Sequence, residues 1–353
     1  MKQADIIVVG AGLVGLTTAL ALREKGLRPL VIEAGEDDAA AVSSQAPWRL
    51  PTLLQAMARQ HSEQMPERVV RLGQMTGVDC EFRREGLLLI GDQAGGGQAW
   101  LDAHQPDWQW GRVADFEPSL AAVDQDAMLL SGISRVRASR LARALRLALP
   151  RWQVPVISGR PVNRLTVAGN IVLGVELADG MRVGAESVVL AAGSRTNALL
   201  FDSGLDPIRI DPEPVAHLLF NPGQRLISHT INTGDCCLVP LHDGRILAAD
   251  LAAKADDEKS AIEDLLERVG NWLPALSRFD LEASGLGPRP GLVGEGSASG
   301  PAIGAYPQMR ALWANGGHAR CGLDLSLAAA ECLAGQLDGG PVPEALAVRL
   351  AAH

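Results

Sequence analysis

The chain is poor in cysteine and carries no disulfide framework: there are five cysteines in 353 residues, an odd number, and two of them, Cys236 and Cys237, are adjacent. No pair has the C-x-x-C spacing of a zinc or redox site, so no metal-ligating set is expected. A reducing compartment fits this usage. Basic clusters are also missing. The 32 basic residues are scattered among 41 acidic ones for a net charge of −9, which leaves no footprint for a phosphate backbone and argues against nucleic acid as a partner. Nor is there an unbroken apolar run of the roughly 20 residues a membrane span needs. The nearest is residues 6–22, IIVVGAGLVGLTTALAL, where Ala19-Leu20-Ala21 imitates a signal-peptidase site. The preceding MKQAD carries one acid against one lysine, and the glycines of the run have a chemically meaningful spacing. The expectation is a cytoplasmic enzyme with no membrane span.

What is present suffices for a large core. Hydrophobic residues make up 47% and charged residues 21%, which excludes a disordered polyelectrolyte. At roughly 150 residues per domain, the length suggests about two domains.

The strongest local signal is at the N-terminus. Residues 5–9, DIIVV, read as a buried β-branched strand. Gly10-Ala11-Gly12-Leu13-Val14-Gly15 then leads into a helical pattern ending near Gly26, and a second apolar strand, Leu30-Val31-Ile32, ends in Glu33. In this order Gly10 permits a tight turn, Gly12 lets a pyrophosphate approach the backbone, and Gly15 allows close packing of helix on strand. The phosphates would sit on the helix N-terminus. Glu33 lies where a carboxylate accepts hydrogen bonds from ribose hydroxyls. Ala19 and Gly26 read as a continuation of the small face packed on the sheet. The cofactor is a dinucleotide, and this motif alone leaves nicotinamide and flavin open.

Later segments favour flavin. Val188-Val189-Leu190-Ala191-Ala192-Gly193 reads as a buried strand and small-residue turn, preceded by a hairpin from Val172 to Val183 with Asp179-Gly180 at its tip. Near the C-terminus, Ala311-Leu312-Trp313-Ala314 enters Asn315-Gly316-Gly317-His318-Ala319-Arg320-Cys321-Gly322 and a helical stretch from about Leu323 to Leu337. A helix N-terminus there would stabilise negative charge on a reduced flavin.

Together these elements resemble the D-amino-acid oxidase superfamily of FAD enzymes, and within it the glycine oxidases of thiamine biosynthesis. Further matching stretches are Pro47-Trp48-Arg49, Gly77-Val78-Asp79, Arg84 to Leu88, Val136 to Leu141, Leu238-Val239-Pro240 and Asp243 to Leu247. The resemblance implies an α/β plus α+β fold. It pairs a Rossmann-like FAD-binding domain of the GR2 type (1–44, 131–204 and 285–353) with a substrate domain on a mainly antiparallel sheet (45–130 and 205–284). It implies cofactor contacts from Gly10, Ala11, Gly12, Gly15, Glu33, Ser43, Ser44, Val162, Ala192 and Gly193, and from Gly317, His318, Ala319, Arg320, Cys321, Gly322 and Leu323. Val162 matches the valine whose backbone holds the adenine side of FAD. The implied reaction is oxidative deamination of glycine, a small D-amino acid or a secondary amine, by hydride transfer to flavin N5. Oxygen is the implied acceptor, and the resemblance leaves room for a homo-oligomer.

Departures from the family pattern gather at the substrate site. Only Gln45 and Ala46 separate Ser44 from Pro47, where relatives carry a longer glycine-rich stretch beside the flavin ring. The family's carboxylate-binding arginine aligns with Gly287, and Arg289 stands two residues on, between Pro288 and Pro290. Arg289 reads either as the replacement clamp or as a solvent-facing loop residue. A substrate-site tyrosine of relatives aligns with Cys237, and Tyr306 is the chain's one tyrosine. Arg320 keeps the family's arginine in the glycine loop, so Arg320, Arg289 and Cys237 are the candidate catalytic residues. His318 reads as a structural loop histidine or as a group touching chemistry. A Cys236–Cys237 redox couple conflicts with disulfide geometry. Three readings follow: an amine or amino-acid oxidase, a dehydrogenase subunit passing electrons to a partner, and a divergent partner subunit with little or no flavin activity.

Overall fold

The structure is a computed structural model that describes residues 3–35, 52–91, 101, 107–120, 123–208, 210–251, 257–292, 301–319 and 322–341. In chain order the first elements are β1 (Gln3–Val9), α1 (Leu13–Glu24), β2 (Pro29–Ile32), α2 (Thr52–Thr76), β3 (Leu87–Ile90), β4 (Trp108–Arg112), α3 (Val113–Phe116) and β5 (Asp126–Leu130). Next come α4 (Ala138–Ala148), β6 (Val156–Ile157), β7 (Val162–Ala168), β8 (Ile171–Leu177), β9 (Arg182–Leu190), α5 (Thr196–Asp202) and β10 (Ile210–Phe220). The rest are β11 (Thr230–Asn232), β12 (Cys236–Pro240), β13 (Ile246–Asp250), α6 (Glu258–Trp272), β14 (Leu281–Leu292), β15 (Ala302–Ala305), β16 (Leu312–Gly316) and α7 (Gly322–Leu337).

The run at residues 6–22 divides into β1 and α1 at the glycine turn. Strand β1 is hydrogen-bonded in parallel to β2 and β9. Because side chains alternate across a strand, Ile6 and Val8 enter one core with α1, α4 and α7, and Ile7 and Val9 enter a second with β8 and β9. Burial on both faces is what a continuous β-branched strand in a parallel sheet provides. The strand order is β15-β16-β9-β1-β2-β6, with the β7–β8 pair attached antiparallel to β9. Among the described residues no helix is long and apolar enough to cross a membrane.

The second sheet runs β14-β10-β13-β12-β11-β3-β5-β4, antiparallel except where β11 meets β3. One face packs on α6 through Ala216, Leu218, Leu238, Ala248, Leu265 and Val269. This confirms the expected fold class, a Rossmann-like unit with a mainly antiparallel companion.

Two segments lie differently from the expected division. Met65, Val69 and Leu72 of α2 join the first core, on α7 and α4, because their side of this helix is apolar and faces the same layer. Strand β14 continues to Leu292 in register with β10, so the second sheet extends past residue 285. Gly26 also departs from its expected packing role. Its φ is +84° and no atom stands within 4 Å of a Cβ placed there, so it ends α1 instead of packing on the sheet.

Candidate active site

The glycine turn shows a division of labour. Gly10 has φ +105°, and a Cβ there would stand 2.4 Å from the Ala191 carbonyl oxygen. A Cβ on Gly15 would stand 2.0 Å from the Gly10 carbonyl oxygen, so both glycines are required by the protein itself. Gly12 is different: among the described residues no atom lies within 4 Å of a Cβ placed there. It is the N-cap of α1 and supplies no side-chain cap, so it satisfies none of the helix's first-turn amides. That space and those donors fit the pyrophosphate of a dinucleotide.

Strand β2 ends at Glu33, whose carboxylate accepts a short hydrogen bond from the Ala11 amide and others from the amides of Ala34 (2.6 Å) and Gly35 (3.3 Å). The amides hold the carboxylate at the turn, and a carboxylate has further lone pairs for ribose hydroxyls. The Arg160 amide donates to the Glu33 carbonyl oxygen at 3.0 Å, which brings Val162, the first residue of β7, to the same end of the sheet. Ala192 and Gly193 follow β9. The position of a Gly10 Cβ lies 3.1 Å from the Ala192 Cα, so the two strand ends meet. Arg146 of α4 also reaches the turn, with Nη2 donating to the Ala11 carbonyl oxygen at 3.1 Å and a buried Nε that has no partner.

The C-terminal loop is tied to α1 by a chain of buried hydrogen bonds. The Thr18 hydroxyl donates to the Val14 carbonyl (2.7 Å) and accepts from Asn315 Nδ2 (2.9 Å). Asn315 therefore turns Oδ1 to His318 Nε2, 2.8 Å away. An amide oxygen only accepts, so Nε2 carries the proton and Nδ1 is left as an acceptor. That Nδ1 is buried and has no partner among the described residues, and burial pushes the His318 imidazole down to about 4. His318 is a neutral acceptor at neutral pH, in a loop whose Gly317 and Ala319 have φ of +70° and +48°. Gly322 begins α7, and Leu323 is buried in the first core. Ser43, Ser44, Arg320 and Cys321 lie outside the described residues.

The second sheet contributes the face opposite α6. Register partners share a face, so one row runs from Leu89 through Asn232, Cys237, Ala249 and His217 to Gly285. On the same face, the next rows along β10 and β14 are Val215 with Gly287 and Glu213 with Arg289. The prolines of this stretch also pair, Pro212 with Pro290 and Pro214 with Pro288. Lacking N–H groups, they leave the ladder bonds to the rows between them. Arg289 is thus a strand residue, not a loop residue. Its Nε donates to Glu213 Oε2 at 2.9 Å, and its side chain is 13% exposed against 42% for Glu213.

One of the contacts between the two halves lies at the glycine loop. Gly291, two residues beyond Arg289 and on the same face, forms an antiparallel bridge with His318. At about 3.4 Å per residue, Arg289 stands about 7 Å along the strand from the glycine loop. Cys237 is 1% exposed, among Val239, Leu241, Leu219 and Leu247, while Cys236 points into the core beneath the other face. Side chains on opposite faces exclude a Cys236–Cys237 couple, and burial pushes the Cys236 thiol up to about 12. Tyr306 does not serve this face: its hydroxyl donates to the Asp206 carbonyl oxygen at 2.7 Å, within the first unit.

Sequence reasoning missed Glu213, His217, Arg146 and Thr18. Nothing in the spacing announces a cross-strand partner, because register is a property of the pairing. The Pro212-Glu213-Pro214 run, repeated in Pro288-Arg289-Pro290, is the one signal that pointed to Glu213.

The profile of the family described as FAD dependent oxidoreductase matches residues 5–336. The chain is 31% identical to a glycine oxidase of Pseudomonas aeruginosa, over 98% of this chain and 99% of that one. It is 30% identical to the glycine oxidase of Pseudomonas putida, over 95% and 94%. The fold is that of the glycine oxidase from Bacillus cereus, with a TM-score of 0.84 and 22% identity over 98% of this chain and 99% of that one. The glycine turn at Gly12 and this full-length match lead to one conclusion: the chain belongs to the family of FAD dependent oxidoreductases.

Proposed function

We propose that this enzyme oxidatively deaminates glycine or a similarly small amino acid or secondary amine, with oxygen as the acceptor of the electrons. The observation that carries the reading is the Gly291–His318 bridge, which sets the Arg289 face of the second sheet against the glycine loop. The α1 N-terminus, Gly12 and Glu33 would hold the pyrophosphate and ribose of FAD, and Val162, Ala192 and Gly193 stand at the same end of the sheet. When bound, FAD supplies a two-electron acceptor for an amine C–H bond.

The protein's own contribution is positioning. Arg289 takes the substrate carboxylate on a planar fork of N–H donors and fixes which C–H bond faces the ring. Arg320 is a further cationic residue in the glycine-loop sequence, and Cys237, buried on the Arg289 face, is smaller than the phenol that relatives carry. His318 accepts from an N–H donor and, being neutral, adds no charge. The functional units are the first sheet with its helices, including α2, for the cofactor, and the second sheet with α6 for the substrate. The cysteine usage favours a cytoplasmic setting.

Adding glycine, small D-amino acids and secondary amines to the purified flavoprotein without oxygen tests this directly. The expected result is bleaching of the flavin band by at least one of them, followed on aeration by recovery and stoichiometric peroxide. Bleaching without peroxide would assign a dehydrogenase. No bleaching by any member of the panel would overturn amine oxidation.

A further inference from the structure

Three features around Arg289 bear on what the site accepts beside a carboxylate. The first is the use of its guanidinium edges. Glu213 Oε2 occupies the Nε edge, 2.9 Å from Nε and 2.8 Å from Nη2, and Nη2 is buried with no other partner among the described residues. The Nη1/Nη2 end of the fork therefore still has N–H groups to give. The second is the asymmetry of burial: the arginine is 13% exposed and the glutamate 42%, so the carboxylate lies on the open side of the pair. The third is the neighbouring row. Among the described residues no atom stands within 4 Å of a Cβ placed on Gly287, whereas the row beyond is closed by the His217 ring, 3.0 Å from a Cβ on Gly285. The Gly287 row is thus the uncrowded one on this face, between an ion pair and an imidazole.

We infer that Glu213 is a specificity-determining residue that receives the substrate's ammonium group while Arg289 receives its carboxylate. This rests on the function proposed above and narrows its substrate class to small zwitterions. The reason is charge balance. An isolated arginine attracts any small carboxylate, so an anion without an amine would compete with the amino acid on equal terms. An Arg289–Glu213 pair is neutral overall. It rejects a bare anion, which meets the Glu213 charge uncompensated, and accepts a molecule that brings one charge of each sign. Glu213 has a second oxygen, Oε1, to accept from the ammonium without giving up Arg289. The span between carboxylate and ammonium in an α-amino acid is short, and the two partners stand directly opposite each other across β10 and β14. The uncrowded Gly287 row leaves room for a small side chain, and His217 limits its length.

The test is the opposite response of two ligands to one substitution. In the flavin-loaded protein, acetate binding is measured by titration calorimetry, and the half-saturating glycine concentration by anaerobic flavin bleaching. In Glu213→Gln, acetate is expected to bind at least tenfold more tightly and glycine to require at least a tenfold higher concentration. Glu213→Asp, which keeps the charge, is expected to move both values back toward the unsubstituted protein. If both ligands shift in the same direction, or neither shifts by threefold, Glu213 does not read the ammonium and the inference falls while amine oxidation stands. If the unsubstituted protein is bleached by no amine, the parent reading falls and takes this one with it.

Discussion

The glycine turn after β1 and the Arg289 face of the second sheet are made of different materials. The turn is built from backbone: amides of α1, the Gly10 carbonyl, and space where Gly12 has no side chain. The Arg289 face is built from side chains brought into line by strand register, Glu213 with Arg289 and His217 with Gly285. A backbone-made site tolerates change elsewhere as long as its glycines persist. A side-chain-made site is re-specified by one or two substitutions, and here the ion pair stands two residues along β14 from Gly287.

The largest expected effect separates two glycines in the same turn. Gly12→Val should fold normally, since its side chain meets open space, yet lose all flavin because that space is the pyrophosphate's. Gly10→Ala should instead destabilise the protein itself by on the order of 3 kcal/mol, through a positive φ and a clash with the Ala191 carbonyl. Flavin absorbance and urea midpoints on both variants check the distinction. Normal flavin content in Gly12→Val would sink the assignment of this turn.

On the second sheet, Arg289→Ala should lower kcat/KM for the best amino acid by about 2–5 kcal/mol while leaving flavin content unchanged. Steady-state kinetics with the absorbance ratio of flavin to protein measure both, and unchanged kinetics would remove Arg289 from the site.

The His318 tie yields a pH dependence. Its folded value, about 4, lies below the ordinary 6.5, so between these values the unfolded chain binds the extra proton. Stability from this group is therefore complete above about pH 6.5 and is lost as pH falls toward 4, by up to about 3 kcal/mol. His318→Gln should flatten that part of the stability profile in urea titrations at pH 7 and pH 4.5; an unaltered slope would contradict the burial of a neutral imidazole. The smallest effect is expected for Thr18→Val, which strands the Asn315 amide at a cost of about 1–2 kcal/mol in thermal or urea unfolding, with the turn itself intact.

Much of the fold was readable because its signals are local. The β-branched DIIVV run, the Asp179-Gly180 hairpin tip and the strand-to-helix passage ending in α7 appear where spacing placed them. Glu33 was readable for the same reason, since strand length sets where the acid falls. Gly26 was misjudged because a glycine that closes a helix and one that packs on a sheet look alike in sequence. The placement of α2 escaped because an amphipathic helix states that it has an apolar face and not which core will take it. Of the proposed substrate site, the sequence showed an arginine between prolines; the glutamate opposite it, 76 residues earlier in the chain, became visible only when β10 and β14 were paired.

By itself, then, the sequence determined the dinucleotide turn, the alternation that buries β1 on both faces and the fold class, because each follows from the conformational limits of a few consecutive residues. Tertiary structure alone decided that Arg289 has a counter-ion, that the His318 proton sits on Nε2, and that a bridge at Gly291 joins the two sheets. Those depend on register and hydrogen-bond chains between segments far apart in the chain, and no local preference of either segment specifies the other.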